Sequence, residues 1–366
     1  MIKILQYAPG FRSGGIESRM LDWYRNIDRD KIQFVLVKLN DENDTPNIKE
    51  FLSLGGKVYN LPPFDLKGAL GFEKKLIGII ENEKIDIVHV HDPNSGLLAL
   101  RAAKKSGIKC RIFHSRTTAF LPDEKNVLIK KLFMSQTPRY ATDYWACSIE
   151  AGLWGCGKKH ENEIVVINNG IQDDLFVFNE HKRQEIRKRL GLENKKVVGT
   201  IGRISPQKNL PFLFDIVASL HEEDPNYVLL LVGDGDTSIL KNYYEQKTDI
   251  SSYVVSVGAK KNVWDYYMAM DVFCGTSLYE GFGTTAIESQ ATGLPTILST
   301  SFPKTVEVTT FVKRLELSSI APWVSEIKNM VGNRYPDQGI RGVINHGYSA
   351  RMVAKQLEDF YISHVE

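Results

Sequence analysis

The sequence predicts an α/β chain built from two doubly wound parallel sheets, one after the other. Three observations predict it. Short apolar, β-branched runs alternate with longer amphipathic ones along the whole chain. Strands that alternate with helices form βαβ units, whose parallel sheet is covered on both faces. The alternation stops at a polar, highly charged stretch, residues 179–196, and then restarts. Finally, 366 residues exceed what one ordinary core holds, so two domains are expected, 1–178 and 179–347, divided near residue 178.

In the first half, residues 2–8, 32–39, 85–91, 109–114, 144–148 and 163–167 read as buried strands, each a short apolar run. Helical spacing occupies 18–26, 66–80 and 97–105. One helix is expected within the charged stretch 179–196. In the second half the strands are 197–201, 227–232, 253–257, 272–274 and 295–299, and the helices 210–220, 263–270 and 284–291. A last helix, about 349–362, follows the turn Asn345-His346-Gly347.

Composition narrows the function classes. A net charge of +2 argues against a dedicated nucleic-acid binder, which is normally far more basic. The four cysteines, Cys110, Cys147, Cys156 and Cys274, contain no C-x-x-C pair, so they are expected as reduced, buried small hydrophobes. No apolar run approaches the roughly 20 residues that a spanning helix needs. Met1-Ile-Lys-Ile-Leu-Gln-Tyr opens like a buried strand rather than a secretory signal, and the expected location is the cytoplasm.

Ligands of such sheets sit beyond the carboxyl ends of the strands, so the loops there carry the chemistry. Pro9-Gly10-Phe11-Arg12-Ser13-Gly14-Gly15 follows the first strand and precedes a helix. It is neither G-x-G-x-x-G nor a P-loop. It reads as a tight βα turn or as a close approach of backbone to an anion. His91 and His114 end strands, and His114 is the better placed to donate to a substrate hydroxyl or phosphate while neutral; a structural hydrogen-bonder is the alternative. Arg203 and Lys208, in Gly202-Arg203-Ile204-Ser205-Pro206-Gln207-Lys208-Asn209, suit a diphosphate at a helix N-terminus, or are two solvated cations. Gly233-Asp234-Gly235-Asp236 and Val257-Gly258 end strands on the same rim, where glycine leaves room for a flat base or ribose.

The stretch Tyr279-Glu280-Gly281-Phe282-Gly283-Thr284-Thr285 runs into a helix that contains Glu288. Thr284 or Thr285 can cap that helix. Glu280 precedes it and Glu288 lies about one turn inside, with free N–H groups between them. Two carboxylates accept hydrogen bonds from paired hydroxyls, which suits sugars, and the helix N-terminus suits an anion between them.

Together these residues resemble a known family. Glu280 and Glu288 are similar to the E-x7-E motif of retaining glycosyltransferases of family 4, which have the GT-B fold of two Rossmann-like domains facing across a cleft. The resemblance covers nearly the whole chain. Gly14-Gly15-Ile16-Glu17 is similar to the family's glycine loop, and Val88-His89-Val90-His91 with His114 to its histidine strands. Asn168-Asn169-Gly170-Ile171, with Phe176, looks like the segment closing the N-terminal domain, and Gly202-Arg203 with Lys208-Asn209 like the donor-diphosphate loop.

The resemblance implies a hexosyl transfer from a nucleotide diphosphate sugar, a UDP-sugar by preference, with retention. Arg203 and Lys208 would hold the diphosphate, Glu288 the ribose, and Glu280 the donor sugar. Backbone amides from Phe282 through Gly283 and Thr284 to Thr285 would meet sugar and phosphate. Gly258 would face the base, Gly14 and Gly15 the diphosphate, and His114 the sugar. The last helix, about 348–366, would cross back onto the N-terminal, acceptor-binding domain. The two domains would close over the donor and exclude water. Neither cofactor nor metal is implied, because fixed cations and a helix dipole stabilise the departing diphosphate. Asp234-Gly235-Asp236 has metal-motif spacing, but the family uses that place as a turn.

Ser299-Thr300-Ser301-Phe302-Pro303-Lys304-Thr305-Val306-Glu307 departs from the family's glycine-rich, Pro-Glu-containing stretch and resembles the branch of exopolysaccharide and capsule assembly. Residues 101–139 carry a balance of +8, and Val127-Leu128-Ile129-Lys130-Lys131-Leu132-Phe133-Met134 within them is basic and apolar together. That combination is used by proteins that bind anionic membranes, with a lipid-linked saccharide as acceptor; the alternative is a core-facing helix with a solvated basic face. Two other functions fit the same shape: a nucleotide-sugar epimerase, and a non-catalytic sugar-nucleotide-binding protein.

Overall fold

In a computed structural model of the chain, the opening apolar run, β1 (Ile2–Tyr7), lies inside a parallel sheet, flanked on both sides. The structure describes residues 1–9, 15–39, 45–63, 67–118, 120, 126–236, 238–239 and 252–365. The chain divides into two compact units, Met1–Gly170 with Ser349–Glu366, and Ile171–Tyr348.

In the first unit, β1 is joined by β2 (Ile32–Lys38), β3 (Lys57–Asn60), β4 (Ile87–Val90), β5 (Cys110–Ser115), β6 (Asp143–Ala146) and β7 (Ile164–Val166). The order is β3-β2-β1-β4-β5-β6-β7, with every pairing parallel. Helices α1 (Gly15–Asn26), α2 (Pro46–Ser53), α3 (Ala69–Glu83), α4 (Gly96–Lys105), α5 (Val127–Gln136) and α6 (Ile149–Cys156) follow successive strands. Successive strand residues point to opposite faces. Ile4 and Phe34 therefore pack with Trp23 and Trp145 on one face, and Leu5 and Val35 with Phe72 and Leu76 on the other.

The strand β3 and the helix α2 were not expected. β3 reads Lys-Val-Tyr-Asn, with no apolar alternation, and lies at an edge of the sheet. Its polar side chains are held by Glu83 at the end of α3. Lys57 Nζ donates to Glu83 Oε1 at 2.9 Å, and the Tyr59 hydroxyl to the same oxygen at 2.6 Å. α5 is not the core-facing helix offered as one reading of its sequence: none of its residues is buried. The four cysteines are free and buried.

The second unit repeats the plan with β8 (Lys196–Ile201), β9 (Tyr227–Val232), β10 (Val254–Ser256), β11 (Val272–Gly275), β12 (Thr296–Ser299) and β13 (Val312–Leu315). The order is β10-β9-β8-β11-β12-β13, again all parallel. β9, all six residues buried, shows the continuous apolar run of a strand covered on both faces. Its helices among the described residues include α7 (Glu180–Leu190), α8 (Leu210–Glu223), α9 (Val263–Ala269), α10 (Thr284–Ala291), α11 (Ala321–Met330) and α12 (Pro336–Asn345). α7 is bounded by side-chain capping at Asn179, which accepts from Lys182 N at 2.9 Å, and by left-handed Gly191.

The division falls at 170/171, before the position 178 that the charge pattern suggests. Ile171 donates its N–H to Tyr348 O at 2.7 Å, and Ile171 and Phe176 pack into the core of the second unit rather than closing the first. The last helix, α13 (Ala350–Ser363), belongs to the first unit. There Tyr361 packs edge-on to Phe34, and Phe360 edge-on to Trp145. Among the described residues no helix is long and apolar enough to cross a membrane.

Candidate functional site

The second sheet reverses its strand order between β8 and β11. Loops leaving neighbouring strands on either side of such a reversal diverge and leave a crevice at the carboxyl ends. The loop after β8 carries Lys208 and the loop after β11 carries Glu280. Lys208 Nζ lies 2.6 Å from Glu280 Oε1, and Ser277 Oγ donates to the same oxygen at 2.7 Å. The carboxylate side chain is only 8% exposed, so solvent screens the pair weakly.

Backbone bonds lace these loops together. Leu278 N donates to Gln207 O at 2.8 Å, and the Thr276 hydroxyl to Lys208 O at 3.0 Å. Ser299 Oγ and Ser301 Oγ both reach Ser277 O at 2.6 Å. The serine-rich segment that departs from the family pattern thus holds the loop bearing Glu280.

Arg203 is exposed, and among the described residues its guanidinium has no partner. Lys208 is not the second free cation that the sequence suggested, since Glu280 occupies it. Around Arg203 the loops approach closely. A Cβ on Gly233 would stand 1.8 Å from Gly202 O, so only glycine fits there, and Gly233 N donates to Gly258 O at 3.0 Å. Gly258 has open space where a side chain would stand.

α10 begins without the threonine cap that was expected. Its N-cap position is Gly283, left-handed at φ 86°, where a Cβ would meet the Phe302 ring at 2.6 Å. Thr284 and Thr285 form the first turn, and no side chain caps its N–H groups. Phe282 turns its ring into the core, 5.5 Å from Tyr348. Glu288, one turn in, accepts from the buried Tyr267 hydroxyl at 2.9 Å. Burial, then the Glu288 charge, pushes the Tyr267 hydroxyl far above its ordinary pKa, so it remains a donor.

In the first unit, His114 is fully buried in β5, and His91 lies just past β4. The register sets Val90 beside Phe113, which brings His91 level with His114. His89, two residues earlier on the same face, joins them. His89 Nε2 is 3.0 Å from His114 Nδ1, and His89 Nδ1 is 2.8 Å from the Tyr361 hydroxyl. Gln6 closes the chain: its Oε1 takes His91 Nε2 at 2.8 Å and its Nε2 donates to Tyr361 at 3.4 Å. Burial first, with the nearby Arg116 charge, holds all three imidazoles well below their usual pKa.

Neutral rings give this chain a direction. Tyr361, accepting from Gln6, donates to His89 Nδ1; His89 then carries its proton on Nε2 and donates to His114 Nδ1. That leaves His114 with Nε2–H, a buried donor with no partner. Gly14 lies outside the described residues, and Gly15 is the first residue of α1.

The ligand atoms of His89, His91 and His114 lie within 4.8 Å of one another. Four of their six nitrogens are already hydrogen-bonded, to Tyr361, to one another or to Gln6, and the Arg116 charge acts on all three rings. Asp234 and Asp236 serve their own turn: Asp234 Oδ1 accepts from Gly235 N at 2.8 Å and Asp236 Oδ1 from Ser238 N at 3.0 Å.

Sequence reasoning missed Ser277, Tyr267, Tyr361 and Gln6. Only the alternating His89 and His91 carried a local signal, the two-residue period of a strand face.

Comparison with known proteins follows the same division. Residues 13–175 match the model described as Glycosyltransferase Family 4, and residues 182–313 the model described as Glycosyl transferases group 1. EpsF of Bacillus subtilis (strain 168), named as a glycosyltransferase, is 30% identical over 334 residues, which cover 89% of this chain and 86% of that protein. An Escherichia coli UDP-Gal:alpha-D-GlcNAc-diphosphoundecaprenol alpha-1,3-galactosyltransferase is 29% identical over 243 residues, 64% of this chain and 62% of the other. The crystal structure of Anabaena HepE in complex with UDP superposes with a TM-score of 0.81 at 17% identity, covering 99% of this chain and 100% of HepE. The chain is a glycosyltransferase of family 4, with the GT-B fold.

Proposed function

We propose that the protein transfers a sugar from a nucleotide diphosphate sugar, specifically a UDP-sugar, to a saccharide or lipid-linked saccharide in surface polysaccharide synthesis, with retention of anomeric configuration. The observation that carries the reading is the meeting of Lys208 and Glu280 at the strand-order reversal, with the unpaired Arg203 in the first of these loops. The UDP in HepE and the UDP-Gal and diphosphoundecaprenol in the name of the Escherichia coli relative support this donor and acceptor class.

In this reading Arg203 and Lys208 hold the diphosphate, Lys208 leaving Glu280 as the donor enters. Glu280 then turns to the donor sugar, and Glu288, oriented by Tyr267, takes the ribose hydroxyls. The uncapped amides of α10 meet the negative charge that grows on the leaving group, and no metal is required for that. The departing phosphate oxygen removes the acceptor proton. Gly258 leaves space for the base.

The reaction takes place in the cytoplasm, with α5 resting on an anionic membrane. Leu128 is 83% exposed and Leu132 61%, beside Lys130 and Lys131. Nucleic acid plays no part.

A thermal-shift panel of UDP, GDP, ADP and TDP on the wild type and Glu288→Ala tests the reading. At 100 times its dissociation constant a ligand adds roughly 2.7 kcal/mol of stability. UDP alone should raise the melting temperature, and Glu288→Ala should lose the rise. No shift with any nucleotide sinks the donor site. Product analysis separates transfer from epimerisation, and the anomeric proton coupling of the product reads retention.

A further inference from the structure

Trp23 gathers unpartnered nitrogens around one indole. Its ring lies 5.9 Å from that of His114 and 6.0 Å from that of His91, and the Arg116 guanidinium sits 4.6 Å from its centroid. Trp23 Nε1, His91 Nδ1, His114 Nε2, and Nε and Nη2 of Arg116 are all shut off from solvent without a hydrogen-bond partner. Buried polar groups are ordinarily paired, so five such atoms around one ring point to a missing ligand.

The kind of atom that fits follows from the donors. The Gln6–Tyr361–His89 chain leaves a proton on His114 Nε2, and Trp23 and Arg116 can only donate. One atom of the five, His91 Nδ1, is an acceptor, because His91 Nε2 donates to Gln6.

Among the described residues Arg116 is also without a counter-charge. Its Nη1 donates to the neutral Asn169 at 3.0 Å, and its charged neighbour Arg19 is itself paired with Asp22 at 3.1 Å. Burial above all pulls its pKa down to about 10, against an upward pull from Cys147 and with a smaller downward one from Arg19, so it stays cationic at neutral pH. Nε and Nη2 form one side of the guanidinium fork, the edge that matches two oxygens of a single phosphate or carboxylate. Stacking on Trp23 and the bond to Asn169 hold that edge in place. As a whole residue Arg116 is only partly buried, so part of its side chain reaches solvent.

We propose that this cluster is an oxyanion site: the Nε–Nη2 edge of Arg116, flanked by Trp23 Nε1–H and His114 Nε2–H, binds a phosphate or carboxylate group of the acceptor. The word acceptor rests on the transferase reading above, in which the donor diphosphate has its own cations, Arg203 and Lys208, in the other unit. The site itself rests on the unpaired donors. It also favours an anion over a metal, since, among the described residues of the cluster, the charge is a cation and the sole open acceptor is His91 Nδ1.

Nitrogen-15 NMR of the full chain, labelled at arginine and histidine, tests it with inorganic phosphate, acetate and UDP at constant ionic strength against chloride. The Arg116 Nε–H and His114 Nε2–H signals should move saturably with phosphate, with acetate, or with both. Phosphate alone assigns a phosphate-bearing acceptor, acetate alone an acidic sugar, and both the shared fork. Arg116→Lys, which keeps the charge and loses the fork, should weaken the response by about tenfold. Arg116→Gln should abolish it, while the UDP melting shift is retained in both variants. The proposal is overturned if neither anion acts beyond chloride in the wild type, or if UDP alone moves these signals. Loss of the UDP melting shift in the wild type would instead strike the donor reading and leave the anion titration to stand by itself.

Discussion

Lys208 Nζ and Glu280 Oε1 meet at 2.6 Å across the strand-order reversal of the second sheet, 72 positions apart in sequence. A cation suited to a diphosphate is thereby stored on the carboxylate that is to face the donor sugar. The pair keeps both charges compensated in the unliganded protein, where a lone, largely buried carboxylate would be costly.

Glu280→Gln should therefore separate binding from turnover. It releases Lys208, so UDP should bind at least as tightly as in the wild type, by calorimetry. Transfer should fall by about 10² or more, the scale of losing one positioned electrostatic group. Weaker UDP binding with unchanged turnover would reverse the two roles.

Tyr267 acts on Glu288 through one hydrogen bond. Tyr267→Phe removes it and leaves a partly buried carboxylate with one donor fewer. UDP affinity should drop about fivefold, near 1 kcal/mol, while Glu288→Ala should lose far more. An unchanged affinity in Tyr267→Phe would mean that Glu288 is oriented by other partners.

The Tyr361 hydroxyl sets the direction of the histidine chain from 272 positions away from His89. In Tyr361→Phe, His89 Nδ1 loses its donor, and the proton position on His114 should become mixed. Nitrogen-15 NMR of histidine-labelled protein reads this directly. A His114 signal that remains wholly Nε2-protonated in the variant would show that Tyr361 only packs.

Acid should weaken the first unit in a defined window. The unfolded chain protonates its histidines near 6.5, whereas burial keeps His89, His91 and His114 neutral well below that in the folded state. Their folded pKa values are depressed, so stability is complete above 6.5 and is lost as pH falls below it, by up to about 1.4 kcal/mol per pH unit for each ring. Glu83, held at about 2 chiefly by Lys57, and next by Tyr59, contributes its own loss only below 4.5. Melting curves between pH 7 and 5 should therefore slope less for His91→Gln than for the wild type. Equal slopes would assign the acid sensitivity elsewhere.

α5 should bind anionic vesicles. Sedimentation with phosphatidylglycerol vesicles at low salt should retain the wild type. Leu128→Ser with Leu132→Ser should lose the apolar contribution. Lys130→Glu with Lys131→Glu should lose the attraction, about 1 kcal/mol per lysine. Wild-type protein that ignores such vesicles would leave α5 without this role.

Much of the fold was legible because burial on both faces of a parallel sheet writes a continuous apolar run, as in Tyr227–Val232. The strands that escaped, Lys57–Asn60 and Val312–Leu315, are both sheet edges. These two strands lack such a run, and ion pairs or charges replace it: Lys57 on Glu83, and Lys313 and Arg314 in the second sheet. The boundary near 178 was read from the charge density of α7, a solvated helix, whereas the compact units divide at 170/171, where Ile171 bonds to Tyr348.

In the site, local features were readable and partnerships were not. The sequence alone determined where glycine must stand, that Glu280 precedes a helix and Glu288 lies within it, and that histidines alternate on one strand, since each is a matter of neighbouring residues and a fixed period. Only the tertiary structure decided that Lys208 is spent on Glu280, that Ser299 and Ser301 hold the Glu280 loop, and that Tyr361 from the last helix sets the proton on His114. Those contacts join segments that strand order brings side by side, and strand order is the outcome of burying every sheet face at once rather than of any one stretch of chain.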